Sequence, residues 1–259
     1  MKKQLLTAVL FSCSGISFSS HAATLAQSAY VSAKLGASSI GSYSSKADFT
    51  YTPTSTSPFT SDSDSVKLSK DHQTAFTGNI AYGVNFLPAY NVPIRLEFEY
   101  AYHDKVNLNS TVTGAPALTI SGINITEMKN KNNVTSQTFM FNGYYDFINH
   151  SKFTPYLSVG LGSAYTKFET AAEIASSTTT IENNNASDKS SHFAWAVGAG
   201  VSYAINPNLS LDLSYRYLNM GESKNTLHYI NHATSDTVDI ENKIKVDAQD
   251  LTFGLRYSF

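Results

Sequence analysis

The feature that most constrains this chain is a two-residue period, clearest at its end. In LTFGLRYSF, residues 251–259, the residues Leu251, Phe253, Leu255, Tyr257 and Phe259 are apolar. Thr252, Gly254, Arg256 and Ser258 between them are small, polar or charged. That period puts successive side chains on opposite faces of a β-strand, so one face is greasy along its whole length and the other is not.

The same pattern recurs in seven earlier segments. The first, about 29–40, sets Val31, Ala33, Leu35 and Ala37 against Ser32, Lys34 and Gly36. The second, about 73–84, lines up Phe76, Ile80, Tyr82 and Val84. In the third, about 93–103, Ile94, Leu96, Phe98, Tyr100 and Tyr102 oppose Arg95, Glu97, Glu99 and His103. The fourth, about 134–147, opposes Phe139, Phe141, Tyr145 and Phe147 to Thr138, Asn142 and Asp146. The fifth (about 154–168), sixth (about 192–205) and seventh (about 209–218) repeat the scheme, with Asp212 and Arg216 on the polar face of the last. The eighth runs from about 247 to Phe259 and adds Asp250 to its polar face. Each segment has about the length that a tilted strand needs to cross a bilayer.

Alternation alone also fits a soluble sandwich, and the connections separate the two. Three are short: 85–92, 148–152 and 206–208. Four are long, roughly 41–71, 104–133, 169–191 and 219–246, and rich in Ser, Thr, Asn and Gly. Short and long alternate strictly. Long structureless connections are rare in compact domains unless functional or disordered. Short turns at one rim and long loops at the other belong to membrane-spanning barrels. The expected fold is therefore all-β: an eight-stranded antiparallel transmembrane barrel with four long loops on one side.

The other end agrees. Lys2 and Lys3 precede an apolar stretch from Leu5 to Phe18, and Ser20 and Ala22 offer small residues for cleavage before Ala23. Residues 1–22 thus read as a signal peptide and 23–259 as the barrel domain. The stretch is too short for a spanning anchor, and Leu10, Phe11 and Ser12 make a poor lipobox for Cys13. Cleavage leaves no cysteine, which suits export without disulfides. Charged residues are 15% of the chain and aromatics 12%, with 16 Tyr and 15 Phe, a balance that suits aromatic girdles at two membrane interfaces. Net charge is −2, or −4 without Lys2 and Lys3, and no basic patch is visible, which argues against nucleic acid as a partner.

FTPYLSVGLG (153–162), WAVGAGVSYAINPNLSLDLSYRY (195–217), RLEFEYAY (95–102) and the terminal GLRYSF carry a resemblance. They are similar to the opacity-type outer-membrane surface antigens, a family related in build to small OmpA-type barrels. The likeness covers the strands and short turns, about half of the mature chain, and not the loops. It implies a Gram-negative outer-membrane location with loops outside the cell, often an adhesin or exposed antigen. Outer-membrane lipid, the barrel-assembly machinery and a host-cell receptor or extracellular matrix are the implied partners, and Tyr257 and Phe259 the implied assembly signal.

Candidate chemistry falls in three places. Lys34, Arg95, Glu97, Glu99, Asp146, Asp212, Arg216, Asp250 and Arg256 all fall on polar faces. An eight-stranded barrel is just filled by its side chains, so these groups are expected to pair in a structural network; the alternatives are a narrow ion path or, for Glu97 and Glu99, a glycosidase pair without a cleft. His72, His103 and His192 fall at the long-loop rim and His228 and His232 in the last loop; they read as solvated rim residues rather than metal or haem ligands. Ser190 and Ser191 beside His192 would be needed for a hydrolase, but a Ser-rich loop supplies such neighbours by chance. No catalytic residue, metal or cofactor is expected. In the loops, Tyr43, Phe49, Tyr51, Phe59 and Tyr229 stand among small polar residues, as in adaptable recognition surfaces. Together with the apolar run 115–125, they either form contact sites or extend the strands above the membrane. The function that follows is surface adhesion or antigen display, with a structural role or a small low-conductance porin as the alternative.

Overall fold

The computed structural model describes residues 28–53, 61–68, 72–113, 119–120, 123–176, 180–230 and 237–259. The expected signal peptide, Phe59 and His232 lie outside these residues. Eight strands form the wall: β1 (Ala29–Thr52), β3 (His72–Asn85), β4 (Ile94–Thr113), β6 (Ile123–Asp146), β7 (Phe153–Ser176), β8 (Thr180–Ala204), β9 (Leu209–Ile230) and β10 (Thr237–Ser258). Each pairs antiparallel with the next, and β10 returns to β1 through Tyr30↔Ser258 to Thr52↔Thr237, so the sheet closes. Two short strands are added: β2 (Asp62–Leu68) pairs with the far half of β1, and β5 (Thr119–Ile120) turns back on the start of β6.

The short-turn rim is fixed by side chains that replace missing ladder bonds. Asn206 Oδ1 accepts from the backbone N–H of Asn208 and Leu209 at 2.9 and 2.8 Å. This Asx arrangement makes the β8–β9 turn tight. Asn85 Oδ1 accepts from Leu87 N–H at 3.0 Å and starts the one-turn helix α1 (Leu87–Tyr90), which ends on left-handed Asn91 at φ 55°. The last residues are held on both sides: Ser258 N–H donates to Asn208 O and Phe259 N–H to Ala29 O.

Above the short turns the wall is inverted relative to a soluble protein. Phe141, Val159, Leu161, Ile80 and Phe253 point outward and exposed, while Arg95, Glu97, Glu99, Asp212 and Asp250 are buried inside. Aromatic pairs such as Phe98–Phe141 and Phe153–Tyr203, with centroids 4.9 and 4.8 Å apart, knit the outer surface across strands. So large an apolar belt is unstable in water. It matches hydrocarbon, where only helices and closed barrels satisfy their backbone. Among the described residues no helix is long and apolar enough to cross a membrane, so the crossing is made by strands.

The strands run further than their alternation predicts. β1 continues to Thr52 rather than stopping near 40, β4 to Thr113 rather than 103, and β9 to Ile230 rather than 218. Most of each expected long loop is ladder. The far half is not a closed tube, however. β3–β4 pairing ends at Thr77↔His103, and β8–β9 pairing ends at Trp195↔Asn219. Beyond these points β4, β6, β7 and β8 form one sheet, and β9, β10, β1 and β2 form another. Among the described residues no strand pairing joins the two. Irregularities between Ser42 and Ser44, His103 and Val106, and Lys245 and Asp247 lie where the tube divides. Bulges bend and twist a strand, which suits a change of wall direction at that level.

Candidate functional site: the lumen and the far sheets

The lumen is filled in two layers. The first is ionic. Arg95 Nε and Nη2 donate to Asp146 Oδ2 and Oδ1, both at 2.8 Å, a fork-to-fork pair. The Arg95 guanidinium also lies over the Tyr144 and Tyr156 rings, 4.4 and 4.9 Å from their centroids. Tyr144 Oη donates to Glu97 at 2.8 Å, and Ser32 Oγ to the same carboxylate at 3.4 Å. Arg216 bridges two acids: Nη1 donates to Glu99, and Nη2 to Asp250 at 2.8 Å. Ser202 Oγ donates to Asp212, accepts from Arg256 at 3.2 Å, and so links that pair, whose charged atoms stand 3.9 Å apart. Lys34 faces the fields of Glu97, Glu99 and Asp212, with its Nζ 5.6 Å from the Tyr144 ring centre.

All nine charged positions read from the sequence therefore meet in one interior. Three tyrosines that the sequence reading omitted, Tyr30, Tyr144 and Tyr156, are buried with them. Their space comes from glycines on facing strands. A Cβ on Gly83 would sit 2.3 Å from the Tyr30 ring, and one on Gly200 2.4 Å from the Tyr156 ring. The signal was available: each tyrosine holds a polar-face position of its alternating segment.

His103 requires a correction. It is not a solvated rim residue but wholly buried, and its Nε2 lies 3.2 Å from Asp250 Oδ2. The alternation of 93–103 had put it on the face of Arg95, Glu97 and Glu99, and burial follows from that face rather than from its distance to the loop. His72 is exposed and His192 half-buried. Strand alternation puts Ser191 on the opposite face from His192, and among the described residues His192 Nε2 has no hydrogen-bond partner. Among the described residues no group of His, Cys, Asp or Glu is arranged to hold a metal.

The second layer is apolar and sits beyond His103. Ile40, Val106, Leu108, Val134, Phe168, Leu218, Met220, Ile244 and Val246 pack together at the base of the two far sheets. A cavity of about 20 Å³ between Lys34, Glu99 and Arg216 is the size of one or two waters. Among the described residues, these two layers fill the interior.

The far sheets carry the sequence-derived loop aromatics on strands. The register sets Phe49, Ile240 and Leu227 in one cross-strand row and Tyr51, Val238 and Tyr229 in the next. Tyr43 falls at the β1 irregularity. On the other sheet, the register sets Val112, Met128, Ile174 and Ile181 opposite one another along the ladder. Of the apolar run 115–125, the described part is a hairpin, Ile120 opposite Ile123. The outer faces are polar. Lys167 and Lys189 stand directly opposite each other, with Glu169 bonded to Lys167 at 2.5 Å; that bond holds the Glu169 carboxyl below the usual carboxylate range. On the second sheet Lys243 pairs with Asp48 at 2.8 Å and Glu241 at 3.1 Å, hydrogen bonds that raise its pKa above that of a free lysine.

A closed eight-stranded wall with an outward apolar belt and an ionic lumen defines a transmembrane β-barrel. The chain belongs to the family described as outer membrane protein beta-barrel domain, whose profile matches residues 7–259. The location is accordingly the outer membrane, with the short turns periplasmic and the far sheets outside the cell. The chain is 32% identical to outer membrane protein PagN of Salmonella typhimurium over 190 residues, 71% of this chain and 73% of the relative. It is 28% identical to "Putative adhesin RC1281" of Rickettsia conorii over 101 residues, 39% of this chain and 41% of that one. The crystal structure of the outer membrane protein OprG from Pseudomonas aeruginosa superposes over 91% of this chain and 99% of that one, with TM-score 0.51 at 12% identity; it shares the fold.

Proposed function

We propose that this protein is a non-enzymatic surface adhesin and exposed antigen. Its recognition surface is the pair of sheets outside the membrane, and its partner a host-cell receptor or matrix component. The observation that carries the reading is the division of labour along each strand. The membrane half is closed and its interior filled, while the outer half splits into two paired sheets whose register sets Tyr51, Val238 and Tyr229 opposite one another. Aromatics among small polar residues provide contact area at low entropic cost. The Rickettsia relative's name points the same way. The packed lumen weighs against the porin alternative, because ions would have to pass both the ionic layer and the apolar plug. In this reading the nine lumen charges are structural, and Tyr257 and Phe259 serve assembly.

The test is adherence of a non-adherent bacterium displaying the barrel to cultured host cells. The control is the same barrel with its strands joined by short turns at the level of the bulges, surface assembly being confirmed. Binding that disappears with the outer sheets supports the proposal. Equal adherence by the trimmed barrel, or none by either form across several cell types, overturns it.

A further inference from the structure

The outward rows of the wall change character in order as β4, β6, β7 and β8 leave the membrane. The register sets Phe98, Phe141, Leu161 and Trp195 in one row, all exposed on the outer surface. Two residues further from the short turns the row is Tyr100, Phe139, Ser163 and Phe193, and the next is Tyr102, Gln137, Tyr165 and Ser191. The row after that pairs Thr135 with Lys167 and Lys167 with Lys189. Lys105 joins it from the β4 irregularity between His103 and Val106. Lys189 is exposed, and the Lys105 and Lys167 side chains are about half exposed. Apolar, aromatic, amphipathic, then cationic is the order of a membrane–water interface, where rings mark the headgroup level and lysine stems carry their charge past it.

The lysine row is unfavourable by itself. Lys167 and Lys189 are directly opposed, and like charges in that position repel. Glu169 bonds Lys167 at 2.5 Å and stands 3.9 Å from Lys105. Asp104 accepts from the Lys105 backbone N–H at 2.7 Å. Among the described residues no carboxylate pairs with Lys189, so three ammonium groups face two acids. The opposite side of the barrel is different. There the first outward charges beyond Tyr217 of β9 and Leu251 of β10 are Glu222 and Lys245, opposite in sign and 3.9 Å apart. On β1 and β3, uncharged Ser39 and Thr74 follow the last outward apolar residues, Ala37 and Phe76. The excess of positive charge just beyond the belt is thus confined to one side.

We propose that Lys167 and Lys189, with Lys105 beside them, bind the phosphate-bearing headgroup of an outer-leaflet lipid. A phosphate between two opposed ammonium groups replaces their repulsion with charge-assisted hydrogen bonds. Position selects the lipid as the source. Lys167 lies two residues beyond Tyr165 and Lys189 four beyond Phe193, about 7 and 14 Å of strand. A lipid whose phosphate meets these lysines lays its acyl chains along Phe193, Leu161 and Trp195, apolar surface that a soluble anion leaves uncovered. The site ties the barrel to its own membrane and does not depend on the adhesion reading.

The test uses Trp195, the only tryptophan of the chain, which lies on β8 six residues from Lys189 and faces outward. The full-length barrel is refolded in vesicles of brominated phosphatidylcholine, whose bromine quenches an adjacent tryptophan. Diphosphorylated lipid A, unbrominated, is then mixed in, and dephosphorylated lipid A with the same acyl chains serves as control. A lipid that binds this side displaces the quencher, so fluorescence recovery gives its relative affinity. The expected result is a preference of about tenfold for the phosphorylated form, the order that two lysines at a charged membrane surface provide. The double variant Lys167→Gln, Lys189→Gln should lose that preference, and Lys167→Arg, Lys189→Arg should keep it. Lys224→Gln, an exposed lysine of the other sheet, should behave as wild type. Equal affinity for the two lipids, or a preference that survives in the double glutamine variant, overturns the proposal. It is also overturned if a soluble sulfated oligosaccharide binds wild type but not that variant while the lipid preference of both is the same, since the lysines would then serve a soluble polyanion.

Discussion

The two halves of β7 are built from one continuous ladder, yet their sequences look unrelated. In the membrane half, Leu157, Val159 and Leu161 alternate with Ser158, Gly160 and Gly162, and the strand is unmistakable. In the outer half, Lys167, Glu169 and Ala171 alternate with Phe168, Thr170 and Ala172, and no greasy face survives. The backbone is paired with β6 and β8 throughout. What changes is the solvent outside the wall. Where lipid lies outside, every second residue must be apolar. Where water lies outside, that demand vanishes while the hydrogen bonds remain. Hydrophobic periodicity thus reports the environment of a strand more faithfully than its length.

The interiors of the two halves differ as well, and the largest effect should come from the ionic one. Arg216 holds both Glu99 and Asp250, which are 2% and 1% exposed. Replacing it by methionine keeps most of the volume and leaves two buried carboxylates without their cation. Breaking a buried pair from one side costs about 3–5 kcal/mol. Arg216→Met should lower the urea midpoint of the barrel refolded in lipid vesicles accordingly. A midpoint within error of wild type would mean that water or Lys34 replaces the guanidinium, and that the lumen is wetter than its packing indicates.

A pair of substitutions on one strand and one face sharpens the comparison directly. Val159 and Ala171 both lie on the outward face of β7, one in the middle of the apolar belt and one beyond it. Arginine at the bilayer midplane costs a barrel about 2–4 kcal/mol, whereas a surface change in water costs within about 0.5 kcal/mol. Val159→Arg should therefore destabilise strongly and Ala171→Arg hardly at all, read by the same urea titration. Equal costs would place the outer half of β7 in contact with lipid and erase the boundary drawn here.

These contrasts explain what the sequence could reveal. The eight strands, the closure, the short turns and the nine lumen charges were legible, because lipid and a narrow lumen each impose a pattern on alternate residues. The outer sheets were not. Phe49 and Tyr51 look like isolated loop aromatics in a Ser/Thr-rich stretch, and only the register against Ile240 and Val238 makes rows of them. Cross-strand partners lie far apart in the chain, and pairing sets their meaning. His103 was misjudged for a related reason. Its position along the chain suggested a rim, but its parity set its burial, and parity was the stronger signal. The places where the tube divides leave no local mark either, since nothing in Trp195 or Asn219 announces that pairing stops there.

The smallest effect tests whether the outer half is held together by charge. Lys167 and Lys189 are direct cross-strand neighbours, an arrangement that repels. Glu169 sits beside them, bonded to Lys167 at 2.5 Å and 3.9 Å from Lys105, with its side chain 38% exposed. The hydrogen bond from Lys167 and its charge lower the Glu169 pKa below that of an unfolded chain. A group depressed in this way stabilises the folded state above its unfolded pKa and loses that contribution as pH falls through its folded pKa. Wild type should therefore be slightly more stable than Glu169→Gln at neutral pH. The gap should close on acidification through the carboxylate range, and it should shrink with added salt because these charges face solvent. Urea midpoints of both proteins between about pH 3 and pH 7, which spans the ordinary carboxylate values, give the answer. A gap that persists in acid would assign the role of Glu169 to packing or hydrogen bonding rather than charge. The outer sheets would then owe their order to the strand ladder, the feature they share with the membrane half below.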